Sequence, residues 1–409
     1  MKESINEICK NLGDNYLFQA SLGSKELFHS NMVAWLLEQP NNEGKLEALQ
    51  LFGKHVLEHK SFPEIDFNNK KLYSIKREKN NIDITIEWEG IDGRNFSFIE
   101  NKMKSIPTSE QLEEYNKKIK ELYSKVSDDK IHKILLTPLT PSIENTDWEK
   151  VTYEDHILKF LTECKKIKFK NEVNIFLDKY IDIIKNLIRL VDTFQINSND
   201  EFLNRKYNFY STEIMDPVMK IRLHDFILKL VHDKIRVVIE NELAESKGIE
   251  LWSGFSRQEG ITDIKFKVSD FEKKTINYEQ YLVIQLQGTN IKYGVEVKYD
   301  PKTKNEAIEK NKLFAKNLYQ ENALWFYDEE KNLKLSGNGR NKKELKYEDK
   351  SGNTGIFNSY TDCSFIYLTK KIETPETLHV KDIIDLMLKS TNHIKTNLDK
   401  FQEIFNKPK

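Results

Sequence analysis

Cysteine is scarce in this 409-residue chain: Cys9, Cys164 and Cys363 lie far apart and form no CxxC pair. That spacing offers neither a disulfide framework nor a cysteine zinc site, and a reducing cytoplasm suits it best. Long apolar runs are missing too. The opening M-K-E-S-I-N-E-I is charged where an export leader would be apolar, and no uninterrupted apolar stretch approaches bilayer-spanning length. The chain is therefore read as cytosolic, with no membrane partner. Charge of one sign is the third absence. With 64 Lys+Arg against 65 Asp+Glu the formal net charge is -1, so any polyanion must be met by local patches and not by a global basic field.

What remains is the composition of a globular protein, 38% hydrophobic and 32% charged. Its length exceeds one hydrophobic core and favours two domains. Lys25-Glu26-Leu27-Phe28-His29 opens a helix whose apolar stripe runs through Val33, Trp35, Leu36 and Leu37 to a stop at Pro40, and a second helix follows from Leu46 to His59. Strand periodicity then takes over: Leu72 to Glu78, Ile82 to Trp88 and Phe96 to Lys102, the last two joined by turn formers from Glu89 to Arg94 into a hairpin. Ser109 to Lys125 reads as a helix, Lys130 to Pro138 as a buried strand, and Glu154 to Cys164 and Val173 to Phe194 as helices. This order predicts an α/β (α+β) core, a mixed sheet flanked by helices, over residues 1–196.

The polar run Asn197-Ser198-Asn199-Asp200 marks the boundary to a second α+β domain, 197–409. There a long helical pattern runs from Tyr210 to Ala244 with a break at Pro217, followed by strands near Ile264 to Val268, Tyr281 to Gln287 and Tyr293 to Lys298. A helix from Asn305 to Tyr319, a mobile loop from Ser336 to Gly355 and a final helix from Val380 to Phe405 complete it. Asp263-Ile264-Lys265-Phe266 and Val283 to Gln287 loosely echo the strand pair of the first half. The echo is read as coincidence.

The chemistry-bearing group lies in the hairpin. Alternate strand residues share a face, so Glu100 and Lys102 of F-I-E-N-K project together while Asn101 turns away. If the preceding strand pairs alongside, Asp83 of N-I-D-I-T-I reaches the same point. Two carboxylates form a hard-oxygen site suited to magnesium, and a metal beside a lysine supplies both charge neutralisation and an activated water for phosphodiester hydrolysis. Charged residues beside the apolar run Phe96-Ser97-Phe98-Ile99 are expected to be paired or coordinating, because strands buried on both faces rarely carry them otherwise.

With N-I-D-I-T-I-E, F-I-E-N-K and Q-L-E-E-Y in this order, the chain resembles the PD-(D/E)XK nucleases, and K-E-L-F-H-S-N-M-V-A-W-L-L-E resembles the ExxHS opening of a bacterial branch of them. The resemblance covers about a third of the chain, roughly Asn11 to Pro138. It implies a restriction-endonuclease-like core in which Asp83 and Glu100 bind Mg2+ or Mn2+, Asn101 adds a main-chain oxygen, and Lys102 orients or helps deprotonate the attacking water. Gln111 and Tyr115 would face the site from one side of the following helix, while Glu26 would add a third carboxylate and His29 a supporting or phosphate contact. Glu78 is a further acid near the hairpin, and Ile82 stands where the strict motif has proline.

The function expected from these residues is metal-dependent cleavage of nucleic acid, DNA favoured, in bacterial antiviral defence, with the second half recognising substrate, partner or trigger. A homo-oligomer or a defence partner protein fits the same picture. Two alternatives remain open at this point: a catalytically inactive nucleic-acid-binding or interaction protein on the same scaffold, and an RNA-directed nuclease toxin.

Overall fold

The computed structural model describes residues 5–21, 25–58, 62–69, 71–90, 93–103, 109–138, 147–194, 199–243, 248–256, 259–268, 278–321, 342–348, 350, 352, 354–372, 375 and 377–407. The chain divides into two compact units, Met1–Phe194 with Asp216–Phe226, and Gln195–Met215 with Ile227–Lys409. The fold is mixed α+β, with two sheets and 13 α-helices among the described residues.

In the first unit, α1 (Ile5–Asp14), α2 (Tyr16–Ala20), α3 (Glu26–Leu37) and α4 (Glu47–His55) precede β1 (Tyr73–Lys79), β2 (Ile82–Gly90) and β3 (Gly93–Asn101). After α5 (Ser109–Leu122) come β4 (Ile131–Thr137), β5 (Glu149–Thr152), a π-helical turn over Tyr153–Ile157, α6 (Leu158–Cys164) and α7 (Asn171–Phe194). The strands lie in sequence order; β1, β2 and β3 run antiparallel, and β3, β4 and β5 run parallel. Asn80 and Asn81, with φ of 59° and 65°, turn β1 into β2 between the paired Lys79 and Ile82, a two-residue connection that needs residues tolerant of positive φ.

The three central strands, β2, β3 and β4, feed two cores. Phe96, Phe98 and Leu135 pack with Leu112, Tyr115 and Ile119 of α5. The intervening residues Ile84, Ile86, Ile99, Ile134 and Leu136 are equally buried and face the opposite way. α3 packs on β1, β2 and β3, and α7 buries Val173, Leu177, Tyr180, Ile184, Leu187 and Val191 at helical spacing.

The second unit carries α8 (Asn199–Leu203), part of α9 (Thr212–Lys220), most of α10 (His224–Glu242), α11 (Lys304–Gln320), α12 (Val380–Thr396) and α13 (Leu398–Asn406) around a seven-stranded sheet. Its strands are β6 (Ile249–Ser256), β7 (Glu259–Lys267), β8 (Tyr278–Gln287), β9 (Asn290–Tyr299), β10 (Lys342–Glu348), β11 (Thr354–Tyr360) and β12 (Phe365–Lys371), in the order β10-β11-β12-β9-β8-β7-β6, all antiparallel. The first sheet is mixed and this one is not, so the echo between the halves is no duplication.

Several expectations change. Pro217 sits inside α9, and the break falls at Ile221–Leu223, where Arg222 takes φ 60°. The expected loop over Ser336–Gly355 contains β10 and the start of β11; Leu345 and Tyr347 alternate with exposed charges, a strand pattern hidden by lysine and glutamate. The final helix is two, parting at Asn397. Of the boundary run, Asn197 and Ser198 lie outside the described residues and Asn199 opens α8; Ile91 and Asp92 of the hairpin turn also lie outside. Among the described residues no helix is long and apolar enough to cross a membrane.

Candidate active site

The antiparallel register pairs Ile84 with Ile99, and one further step sets Asp83 beside Glu100. Cross-strand neighbours point to the same face, so both carboxylates project toward α5, and Lys102, two residues beyond Glu100, joins them. Glu100 and Lys102 are buried, 3% and 8% exposed, and the lysine Nζ lies 2.8 Å from Glu100 Oε1. The Tyr115 hydroxyl donates to the same oxygen at 3.0 Å, and Gln111 Nε2 donates to Tyr115 at 2.9 Å, so the i and i+4 pair on α5 meets the carboxylate as one unit. The other oxygen, Glu100 Oε2, is buried with no hydrogen-bond partner.

Asp83 Oδ2 accepts the Asn101 main-chain N–H at 2.7 Å. Burial, then the neighbouring Glu100 charge, pushes the Asp83 carboxyl up to about 7, against the opposing pull of the Asn101 N–H and Lys102. Burial disfavours the Lys102 ammonium, but Glu100 beside it outweighs that and holds its pKa above the ordinary lysine value.

Asn101, as strand alternation requires, sends its side chain to the opposite face. Its Nδ2 donates to Ser30 Oγ at 3.0 Å and to the Glu26 carbonyl at 3.3 Å, and its Oδ1 accepts from the Tyr153 hydroxyl at 3.0 Å. The start of α3 is thereby tied to the end of β3. Glu26 is half-buried there, and its charge raises the pKa values of both Asp83 and Lys102, which places it at the rim of the cluster.

His29 is fully buried, with Nδ1 3.3 Å from the Tyr180 hydroxyl and its ring centroid 6.1 Å from that of Tyr153. It supports the Tyr153 side of the network and is too deep for a phosphate contact. Glu78 is exposed on β1 at φ 51°, outside the buried cluster. The residues that sequence reasoning missed are Ser30 and Tyr153. Ser30 stood in the quoted ExxHS motif; Tyr153, more than fifty positions from Asn101 along the chain, carried no local signal.

A family model described as PD-(D/E)XK nuclease superfamily matches residues 14–182. That segment is similar to the PD-(D/E)XK nuclease superfamily. Comparisons with curated proteins and with solved structures found no match. The match takes in all five strands of the first sheet and ends inside α7, so it leaves the second unit untouched.

PD-(D/E)XK nucleases typically use divalent metal ions. Among the described residues no three His, Cys, Asp or Glu side chains already converge on a point. The donor set nevertheless fits a hard cation: an orphaned carboxylate oxygen on Glu100 lies buried beside an Asp83 whose charge is disfavoured by burial and then by the neighbouring Glu100. A divalent ion that keeps several waters needs only one or two carboxylates from the protein.

Proposed function

We propose that the first unit is a divalent-metal-dependent nuclease that hydrolyses phosphodiester bonds, DNA being the favoured substrate. The carrying observation is the buried trio in which Glu100 receives Lys102 and Tyr115 on one oxygen and leaves the other free beside Asp83. Asp83 and Glu100 would hold Mg2+ or Mn2+ with Glu26 at the rim, and the ion would supply Lewis-acid charge neutralisation at the phosphate. Lys102, as an ammonium, orients the attacking water and steadies charge on the phosphoryl oxygens. Gln111 and Tyr115 fix the Glu100 carboxylate against α5. Acting so, with the second unit recognising substrate, partner or trigger, the protein would serve in bacterial defence against foreign DNA.

The test is to incubate the full chain with plasmid, linear duplex, single-stranded DNA and RNA, with Mg2+, with Mn2+ and with chelator. Metal-dependent cleavage that Asp83→Ala, Glu100→Ala and Lys102→Ala each abolish while the chain stays folded is the expected outcome. Wild-type rates in any of these variants would remove that residue from the reading, and cutting of RNA alone would replace DNA as substrate.

A further inference from the structure

α3 is apolar nearly all round, a pattern that belongs to a helix buried on every side. Only part of it is buried. Glu26 and Ser30 face the end of β3, whereas Leu27, Phe28, Asn31, Met32 and Trp35 form a stripe at i, i+1, i+4, i+5 and i+8 on the far face. That stripe lines a groove of about 660 Å³ closed by α2, α7 and β1, within the range of sites for small organic groups. Leu27 is 44% exposed, Phe176 40%, and the Trp35 and Phe176 rings meet edge to face at 5.8 Å. Lys25 and Arg77 also line the groove, and among the described residues that line it there is no acid. The Arg77 guanidinium has Glu38 only at 3.9 Å, an exposed and weakly held pair.

Resting on the nuclease reading, we propose that this groove receives an unpaired nucleobase of the strand being cut. Its aromatic and aliphatic walls take the base, and Lys25 and Arg77 take the phosphates on either side. Lys25 directly precedes Glu26, so a strand leaving the carboxylate cluster past the start of α3 enters the groove at its cationic end. Bases of every kind offer a flat apolar face, so such a site is blind to sequence and selects for unpaired strand. An apolar surface that served only a second copy of this chain would have no need of the Lys25 and Arg77 cations along it.

The experiment is anisotropy titration in chelator, where nothing is cut, of the full chain with labelled single-stranded DNA, its RNA counterpart, the same DNA made abasic, and a blunt duplex. Wild type should bind the base-bearing strands about tenfold more tightly than the abasic one, and Leu27→Ser/Phe176→Ser, both at exposed positions, should erase that difference. In metal the same variant should raise KM on single strands and leave kcat unchanged. Equal binding of base-bearing and abasic strands by wild type, or an unchanged preference in the variant, overturns the proposal. So does a change in oligomeric mass on light scattering, which would make the groove an interface between copies. Loss of all cleavage by wild type with the base preference intact would sink the nuclease reading and leave the groove assignment standing.

Discussion

Replacing Tyr153 by phenylalanine removes one oxygen atom and tests whether the network behind β3 matters for the proposed activity. The Tyr153 side chain is fully buried, and its hydroxyl donates to Asn101 Oδ1 at 3.0 Å, while Tyr180 is hydrogen-bonded to Tyr153 in turn. Asn101 is 1% exposed, so without that donor its oxygen is left buried and unsatisfied, which costs about 1–3 kcal/mol of stability. The amide is not set free, because Nδ2 keeps Ser30 and the Glu26 carbonyl. A displacement near 1 Å at a reacting group costs about a hundredfold in rate. Since one of three tethers is lost, we expect a smaller fall in kcat, about tenfold, with KM unchanged. Urea unfolding and steady-state cleavage, both well below the melting temperature, measure the two effects separately. A double-mutant cycle with Asn101→Ala should be strongly non-additive. If Tyr153→Phe loses stability but cleaves at the wild-type rate, Tyr153 holds the core together and positions nothing.

Other outcomes follow from the same geometry. Glu26→Gln should weaken metal binding, measured by titration calorimetry, and depress cleavage at low metal with partial recovery at high metal. If Glu26 is only a helix-terminal acid, the change costs a few tenths to about 1 kcal/mol of stability and leaves metal dependence alone. In the second unit, burial pushes His232 down to about 3, below its ordinary value near 6.5. The unfolded chain protonates first, so this contribution to stability is complete above about pH 6.5 and fades as pH falls toward 3, by up to about 1.4 kcal/mol per pH unit. Denaturation midpoints that stay level between pH 7 and 4.5, in wild type and His232→Gln alike, would contradict it. Gly260→Ala would bring a Cβ to 2.2 Å from the His232 ring, and overpacking of this kind should lower stability by about 1–3 kcal/mol in the same assay.

The hairpin was legible because I-D-I-T-I-E-W alternates without interruption and F-S-F-I is apolar on both faces, so period two alone put Glu100 and Lys102 together. β5, four residues long, is too short for periodicity to register. β10 was obscured because charge on its exposed positions outweighs Leu345 and Tyr347. Arg222 ends the run before α10 in a left-handed conformation with no glycine or asparagine to announce it. The least legible parts are long-range: that Tyr153 meets Asn101, or that a stripe on α3 remains partly exposed, depends on how distant segments fold back.

β3 is the strand at which the sheet changes from antiparallel to parallel pairing. The chain leaving it must travel the length of the sheet before it can start β4 alongside, and α5 makes that journey. Gln111 and Tyr115 are therefore carried past Glu100 by a connection the topology already demands. Asp83, Glu100, Lys102, Gln111 and Tyr115 are encoded in one uninterrupted stretch, hairpin then return helix. Insertions on either side, including a whole second unit, can accumulate over evolutionary time without severing those five residues from one another. Such a stretch is heritable as a cassette: divergence in its surroundings changes what is delivered to the carboxylates and leaves their mutual arrangement intact.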